Sequence, residues 1–261
     1  MPENSLKKLY FLLARIIFTR RLQAAKNRPM KTLFVAGTDT GVGKTFFCAH
    51  FLKFLHASGI AAGYQKWVST GDAEHPADLD FCMKTAGPAV AADIELQVPF
   101  RFSYPASPHL AAELEGRQID DAVISSAFQA MAKQYELLIV EGVGGLFVPL
   151  RRDLLLIDLL ARLRPPVLLV ARSGLGTLNH TLLSLEALRS RNIPIVGVVI
   201  SDGQQHTDET LIADNMKTIA EIGDIKVFGR LPRMTSSTAP AAVRETFTAI
   251  SRAVLEEFPH S

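Results

Sequence analysis

A glycine-rich stretch that begins at residue 37 carries residue types that bind phosphate. It reads GTDTGVGKT, with glycines at 37, 41 and 43. Glycines let backbone N–H groups turn towards an anion, and a helix beginning at Lys44 would add the partial positive charge of its N-terminus. In the usual pattern, G-x-x-x-x-G-K-[ST], the first glycine falls at Thr38, one residue later than here, and the lysine contacts the β- and γ-phosphates. We predict a nucleotide site formed by Gly41, Val42, Gly43, Lys44 and Thr45.

Carboxylates elsewhere in the chain could complete a metal site beside this loop. The motif expects the Thr45 hydroxyl on Mg²⁺, and magnesium also takes one or two carboxylates. Glu141 ends the apolar run 137–140 and is followed by glycines at 142, 144 and 145, so a ligand can approach the backbone there. We predict Glu141 as a metal ligand, and the pattern leaves Asp78 and Asp80 as alternatives for the second carboxylate.

Short apolar runs that alternate with helical patterns would position these groups. Strands with continuous apolar runs are buried on both faces, and their alternation with helices indicates a doubly wound, mostly parallel sheet flanked by helices. The predicted α/β fold is a three-layer sandwich of the P-loop NTPase type, with ligands at the carboxyl ends of the strands. Segment 72–116 is the least regular and is predicted to cover the site. The predicted strands are 32–36, 61–67, 137–140, 167–171, 195–200 and 226–228, and the predicted helices are 44–58, 119–134, 154–163, 179–191, 208–222 and 240–258.

Composition narrows the class of protein. The chain has 261 residues, 48% of them hydrophobic, which is enough for a sizeable core. Seven Lys and Arg against one Glu give residues 1–30 a charge of +6, so the other 231 residues carry −4 of the total of +2. A mildly acidic body argues against a nucleic-acid binder. Cys48 and Cys82 form no C-x-x-C pair, so the sequence suggests no zinc or disulfide framework, which fits a cytoplasmic setting.

The basic N-terminal extension, 1–30, is predicted to lie apart from a single α/β synthetase domain at 31–261. Its apolar residues fall at helical spacing, but its longest uncharged run, 9–14, is too short to span a bilayer. Three interpretations stay open: a leader upstream of a start at Met30, a helix that docks on the body or a partner, and a surface membrane anchor.

Six motifs in the right order resemble those of the dethiobiotin synthetases. The loop 37–45 resembles G-T-D-T-x-V-G-K-T, which carries the same early glycine. YQKWVSTG at 64–71 is similar to Y-x-K-P-V-x-[ST]-G, and EGVGG at 141–145 to E-G-A-G-G. The loop is therefore interpreted as a variant, not as a damaged site. The other likenesses are SPH at 107–109, EG at 115–116, and LGTLNH at 175–180, which is similar to L-G-x-[IL]-N-H.

The resemblance implies an ATP-dependent ligase of biotin biosynthesis. Such an enzyme joins CO₂ to 7,8-diaminononanoate as a carbamate, phosphorylates the carbamate, and closes the cyclic urea of dethiobiotin. It implies ATP as co-substrate, Mg²⁺ as cofactor, a small-molecule substrate, and a cytoplasmic homodimer with its sites at the subunit interface. Catalysis would depend on positioning and charge neutralisation.

The resemblance also assigns roles to individual residues. Lys44 and Lys66 would be the catalytic cations that flank the carbamate and the γ-phosphate. Asp78 is favoured over Asp80 as the second metal ligand. The remaining assignments are Thr40, Thr70 and Gly144 for substrate or phosphate oxygens, Asn179 for the substrate's distant carboxylate from the partner subunit, and Ser201 and Asp202 for the nucleotide.

Two departures from the family pattern affect these expectations. Trp67 replaces the proline after the key lysine, which removes a fixed φ angle and adds bulk. Ser201 stands where many members carry the asparagine that reads adenine, and a serine hydroxyl is a shorter substitute for an amide. We therefore expect relaxed discrimination among nucleotides.

Three other functions were weighed against the synthetase. Partitioning ATPases place a signature lysine five residues before the loop lysine, where this chain has Asp39. Cobyrinate-type amidotransferases need a glutaminase domain, for which no room remains after Pro232. A non-catalytic relative that keeps the fold as an interaction module, or as a nucleotide switch, stays open because of Trp67 and Ser201.

Overall fold

A computed structural model describes residues 32–87, 93–202, 208–232 and 241–258, all within one unit, Lys31–Pro259. The N-terminal extension lies outside the described residues, so its separation from the body at residue 30 stays a prediction. Among the described helices, none is long and apolar enough to cross a membrane.

Six parallel strands form the central sheet, in the order β10-β9-β8-β1-β5-β2. Residues 33–36 of the first strand are at most 1% exposed and residues 137–140 of the fifth are fully buried, as expected for parallel strands covered on both faces. Two short two-stranded sheets accompany it, β3-β4 and β6-β7. The strands are β1 Thr32–Gly37, β2 Ala62–Lys66, β3 Val68–Thr70, β4 Phe100–Phe102, β5 Leu137–Gly145, β6 Pro149–Arg151, β7 Leu154–Leu155, β8 Val167–Arg172, β9 Ile195–Ser201 and β10 Val227–Leu231.

Helices flank this sheet, and the strand order changes direction at β1. Strands β5 and β2 lie on one side of β1, and β8, β9 and β10 lie on the other. The loops that follow these strands therefore diverge at the carboxyl end of β1. The helices are α1 Lys44–Ala57, α2 Ala77–Ala86, α3 Ile94–Gln97, α4 Pro108–Leu114, α5 Asp121–Ala132, α6 Leu156–Leu163, α7 Thr177–Arg189, α8 Glu209–Ile222 and α9 Ala241–Glu256.

The predicted fold class is confirmed, and all six predicted strands and all six predicted helices are present, with small shifts at most ends. The strand predicted at 137–140 continues to Gly145, so Glu141 lies within β5 and not at its end. Two further expectations need correction. The seventh helix begins at Thr177, so Asn179 is its third residue and does not open it. Segment 72–116 is less irregular than predicted, because it contains α2, α3, β4 and α4. Its helices are short and its apolar runs brief, which hides them from a search for long periodic patterns.

Candidate active site

Strand register brings two opposite charges together at the edge of the sheet. β2 and β5 pair in parallel with Lys66 beside Glu141. The Nζ atom of Lys66 lies 2.9 Å from Oε1 of Glu141, and it also contacts the carboxylate of Asp78 on α2. The side chains of Lys66 and Glu141 are 7% and 1% exposed. Two residues that are far apart in the sequence therefore form a buried ion pair across neighbouring strands.

Two hydroxyl groups complete this arrangement. The Oγ1 atom of Thr45, in the first turn of α1, lies 2.8 Å from Oδ1 of Asp78 and 2.8 Å from Oε1 of Glu141. The buried Tyr64 hydroxyl donates a hydrogen bond of 2.8 Å to the other oxygen of Glu141. We refer to Thr45, Tyr64, Lys66, Asp78 and Glu141 as the inner cluster. Asp78 is in hydrogen-bond contact with Thr45 and Lys66, and Glu141 with Thr45, Tyr64 and Lys66, which fixes the orientation of both carboxylates. The single hydroxyl proton of Thr45 can go to only one of them at a time.

The inner cluster keeps its charges because both carboxylates contact the Lys66 ammonium. Burial by itself would lower the pKa of the Lys66 ammonium, but Glu141 and Asp78 together raise that pKa above its ordinary value. Burial would likewise raise the pKa of Asp78, yet Lys66 holds it below its usual value. For Lys44 burial prevails, and its pKa is lowered although Glu141 acts in the opposite direction.

The donor set fits a magnesium ion. The hydroxyl of Thr45 lies 2.8 Å from a carboxylate oxygen of Asp78 and 2.8 Å from one of Glu141. Mg²⁺ binds one or two carboxylates and keeps oxygen ligands from water and phosphate. Within the described ranges no group of three or more His, Cys, Asp or Glu is placed to hold a metal, so the remaining ligands would come from nucleotide and water. Of the two sequence candidates, the structure brings Asp78 to Thr45, whereas Asp80 is exposed.

The glycine-rich loop needs its glycines for conformation and for space. Gly41 and Gly43 have φ angles of 70° and 97°, in the left-handed region. The early glycine at 37 has a different cause: a Cβ there would lie 2.8 Å from Nζ of Lys44. That ammonium donates hydrogen bonds of 2.9 Å to the carbonyl oxygens of Asp39 and Gly144. The shifted glycine therefore leaves room for the loop lysine.

A cavity of about 870 Å³ opens over the loop and the inner cluster. Helix α4 and the turn before it form one wall through residues 105–108, so the predicted covering segment does border the site. The predicted site residues that line the cavity are Thr40, Gly41, Gly43, Lys44, Thr45, Lys66, Thr70, Asp78, Glu141 and Gly144.

The two predicted nucleotide residues at the end of β9 lie on the other side of β1. Ser201 is buried, and a Cβ on Gly43 would lie 2.4 Å from its hydroxyl oxygen. Both carboxylate oxygens of Asp202 lie 2.8 Å from Nε of Arg230, and Nη1 of the same arginine donates a hydrogen bond of 2.5 Å to Glu209. We refer to the Arg230 contacts with Asp202 and Glu209 as the outer ion pairs. Val42 is buried beneath the loop.

Asn179 stands apart from the other predicted residues. It is exposed in the first turn of α7 and is not among the described residues that line the cavity. Beside it, a second groove of about 800 Å³ is lined by His180, Leu183 and Phe147. The side chains of Leu183 and Phe147 are 61% and 54% exposed. The structure therefore presents this turn on a surface with apolar neighbours.

Sequence reasoning missed two groups that shape the site. Tyr64 lies in the motif YQKWVSTG, but its bond to Glu141 depends on the register of β2 and β5. Asp39 stands where partitioning ATPases carry their signature lysine, and that position alone does not indicate its contacts. Its carboxylate pairs with Arg172 at the end of β8 and accepts a 2.7 Å bond from the backbone N–H of Thr40. A polar residue two positions before Lys66 and a charge at the end of β8 were the available signals.

Comparison with solved structures identifies the fold. A chain of a MinC:MinD cell division protein complex from Aquifex aeolicus aligns with a TM-score of 0.56 and 11% identity, covering 87% of this chain and 96% of that one. A plasmid partition protein of Borrelia burgdorferi bound to AMPPNP aligns with a TM-score of 0.53 and 14% identity, covering 88% and 99%. At these identities the likeness shows a shared fold alone.

Sequence comparison identifies the family. A family model described as an AAA domain matches residues 31–241. The ATP-dependent dethiobiotin synthetase BioD of Rhodopseudomonas palustris strain TIE-1 is 42% identical over 217 residues, which cover 83% of this chain and 92% of that protein. The proteins of the same name from Brucella anthropi and Methanococcus vannielii are 40% and 36% identical, over 83% and 76% of this chain and 92% and 91% of their own lengths. The chain therefore belongs to the dethiobiotin synthetase family.

Proposed function

We propose that this protein is an ATP-dependent dethiobiotin synthetase, a ligase of biotin biosynthesis that forms the two C–N bonds of a cyclic urea. The observation that carries the proposal is the meeting of Lys44, Lys66 and the Thr45–Asp78–Glu141 donor set around one cavity. Family membership supports the same reaction, since the relatives carry that name. A cytoplasmic location stays a prediction.

The reaction has three bond-forming steps. One amine of 7,8-diaminononanoate adds to CO₂ and loses a proton, which gives a carbamate. A carbamate oxygen then attacks the γ-phosphorus of ATP, and the bond from that phosphorus to the β,γ-bridging oxygen breaks with release of ADP. Finally the second amine attacks the carbamate carbon. The C–O bond to the phosphate breaks, phosphate leaves, and the loss of a proton completes the ring.

Two ammonium groups are suited to the charge that develops in the second step. Asp78 and Glu141 keep Lys66 protonated. Two of its three N–H donors go to these carboxylates, so it can give the third to an oxygen of the carbamate or of the γ-phosphate. Lys44 has three N–H donors, of which two go to carbonyl oxygens, and it can give the third to a phosphate oxygen. Thr40 and Thr70 line the same cavity and would hold substrate oxygens.

Thr45, Asp78 and Glu141 would hold Mg²⁺. When bound, the ion neutralises charge on the β- and γ-phosphate oxygens. The hydrogen bond from Tyr64 to Glu141 would keep one carboxylate oxygen turned towards Thr45.

We further propose a homodimer in which the turn around Asn179 serves the cavity of the partner subunit. Asn179 is exposed and does not line its own cavity, as the described residues define it. Its N-terminal position in α7 suits an anion such as the substrate carboxylate. The exposed side chains of Leu175, Leu183 and Phe147 nearby offer apolar area for a subunit contact.

The test is phosphate release and dethiobiotin formation with diaminononanoate, bicarbonate, Mg²⁺ and ATP. We expect both products from the wild type, and release that depends on the diamine. Lys66→Ala should abolish ring closure while ADP still binds, because Lys44 and the loop backbone remain. Lys53→Ala, on the exposed side of α1, is the matched control and should retain activity. A wild type that binds ATP but releases no phosphate with the diamine would favour the non-catalytic relative.

A further inference from the structure

Side chains at the end of β2 alternate between two environments. Successive residues of a strand point to opposite faces. Tyr64 and Lys66 both reach Glu141 on the side of the cavity. Gln65 and Trp67 lie on the other face, where they are 0% and 1% exposed. The residues directly before and after the proposed catalytic lysine are therefore both buried behind it.

These two flanking side chains are bonded to each other and to the next layer. Nε1 of Trp67 donates a hydrogen bond of 3.1 Å to Oε1 of Gln65, and Nε2 of Gln65 donates one of 2.8 Å to the carbonyl oxygen of Leu96. In return, Gln97 donates a bond of 3.3 Å to the carbonyl oxygen of Tyr64. Helix α3 and the end of β2 are thus linked in both directions by buried hydrogen bonds.

Aromatic packing fixes the indole on its remaining sides. The ring of Trp67 lies 4.9 Å from that of Phe34 on β1, at an interplanar angle of 51°. It meets the ring of Phe128 on α5 edge-on, at 6.0 Å and 89°. A buried ring held between two elements has little freedom, so its backbone is held as well.

Lys66 needs such support because it is the last residue of β2. The ladder with β5 ends at the Lys66–Glu141 pair, and the chain then turns away to pair with β4 through β3. A lysine side chain is long and flexible, so the direction of its Cα–Cβ bond decides where its ammonium can reach.

We propose that Gln65 and Trp67 are positioning residues, which act as a clamp that fixes the backbone at Lys66 and so places its ammonium. The clamp comprises Gln65, Trp67 and the carbonyl group of Leu96. The inference rests on the proposed function only for its effect on turnover, since the clamp itself also predicts structural and spectroscopic results.

Two substitutions open the clamp by removing its polar groups. Trp67→Phe keeps an aromatic ring and removes the N–H donor, and Gln65→Met keeps the length of the side chain and removes both polar groups. Phe128→Leu is the matched control, because it disturbs the same core beside Trp67 without touching the hydrogen bonds.

We expect Trp67→Phe and Gln65→Met each to lower kcat by about 10-fold to 100-fold, as a displaced catalytic group does, while KM for ATP changes less than about 2-fold. The double variant should be no slower than the slower single variant, because both changes open one clamp. Phe128→Leu should lower the melting temperature but keep kcat. If both single variants lose thermal stability and keep wild-type kcat, Gln65 and Trp67 are core residues only and the proposal is overturned.

Two readouts do not depend on the reaction. Trp67 is the one tryptophan of the sequence, so Gln65→Met should shift the protein's emission to shorter wavelength as the indole loses its acceptor; an unchanged spectrum contradicts the bond. A crystal structure of Trp67→Phe should show the Lys66 ammonium moved from Glu141, and an unmoved ammonium would overturn the proposal. A wild type without synthetase activity would refute the proposed function and leave these two tests intact.

Discussion

The inner cluster and the outer ion pairs lie on opposite sides of β1, and they differ in how they hold charge. In the inner cluster the side chains of Lys66 and Glu141 are 7% and 1% exposed and come from adjacent strands. In the outer ion pairs Arg230 is 29% exposed and Glu209 is 74% exposed. A buried charge needs a partner in a fixed place, whereas a charge at the surface can exchange its partner for water.

This difference matches two parts of the proposed reaction, which are the chemistry at the phosphates and the recognition of the nucleotide base. Charged groups stabilise a transition state best when they are already held in position before the substrate binds. The inner cluster provides such groups through strand register and hydrogen bonds. The end of β9 provides a hydroxyl packed against the loop at Ser201 and a carboxylate already bonded to Arg230. We therefore expect the reaction to depend strongly on the residues around the phosphates, and the site to accept several nucleotide bases.

Loss of the buried cation should have the largest effect. Lys66→Met leaves Asp78 and Glu141 without their common partner, and removal of one member of a buried pair costs about 3 kcal/mol or more in the free energy of unfolding. Glu209→Gln, in the outer ion pairs, should cost less than about 1 kcal/mol. Urea unfolding followed by circular dichroism measures both values.

Added Mg²⁺ makes the stability comparison of these variants more specific to the inner cluster. Because Mg²⁺ can take the place of the lost ammonium charge between the two carboxylates, it should stabilise Lys66→Met more than it stabilises the wild type. Equal destabilisation by Lys66→Met and Glu209→Gln would show that burial does not distinguish the two sites.

Metal dependence should give the next largest effect. Asp78→Asn removes one charge from the proposed donor set, and we expect the Mg²⁺ concentration at half-maximal rate to rise about 10-fold to 100-fold. Asp80→Asn, two residues away and exposed, is the control and should behave as the wild type. Initial rates and Mn²⁺ binding by electron paramagnetic resonance both measure this. Identical metal affinities in the two variants would remove Asp78 from the site.

The sequence predicted the elements and the loop because both depend on local patterns. Short, continuous apolar runs predict buried parallel strands, and the glycines before Lys44 predict a turn that opens a helix. The positions of Lys66 at the end of β2 and of Glu141 directly after the apolar run of β5 were also enough to bring the two residues to the same sheet edge. These are properties of a few neighbouring residues, and the structure retains them.

What the sequence did not predict depends on register and on packing across layers. The bond from Tyr64 to Glu141 needs β2 to lie beside β5 in one alignment. The reason for glycine at 37, space for Nζ of Lys44, appears only when the loop is folded. Trp67 was read as a departure from a proline pattern, but its indole bonds Gln65 in the core. Such contacts join residues whose spacing carries no periodic signal.

The nucleotide specificity of the protein directly tests the role of the residues at the end of β9. Ser201 packs against Gly43 and Asp202 is engaged with Arg230, so we expect turnover with ATP, GTP and CTP to differ by less than about 10-fold in kcat/KM. Ser201→Asn would supply an amide, and should raise the preference for ATP if the side chain can be accommodated beside Gly43. A strong ATP preference in the wild type would contradict relaxed discrimination.

The smallest effect concerns a group whose pKa is set by burial rather than by pairing. His50 lies on α1, between the ring of Phe247 at 4.4 Å and that of Phe46 at 4.6 Å. Burial, with a smaller contribution from Lys53, lowers the pKa of His50 from 6.5 to about 4. Between these two values the unfolded chain binds more protons than the folded one. The contribution of neutral His50 to the free energy of unfolding should therefore be fully present above pH 6.5 and decline as the pH falls towards 4.

We expect this histidine to account for about 1–2 kcal/mol of the acid-induced loss, because the ring is partly exposed and solvent screens its charge. His50→Phe keeps the ring stack with Phe247 and cannot take up a proton, so its unfolding free energy should fall less between pH 6.5 and 4 than that of the wild type. His75→Phe, at an exposed position, is the control and should keep the wild-type slope. The inner cluster, whose charges are paired, should contribute little in this window, because Lys66 holds the pKa of Asp78 below its usual value. Parallel pH profiles for the wild type and His50→Phe would show that burial alone does not make this helix sensitive to acid.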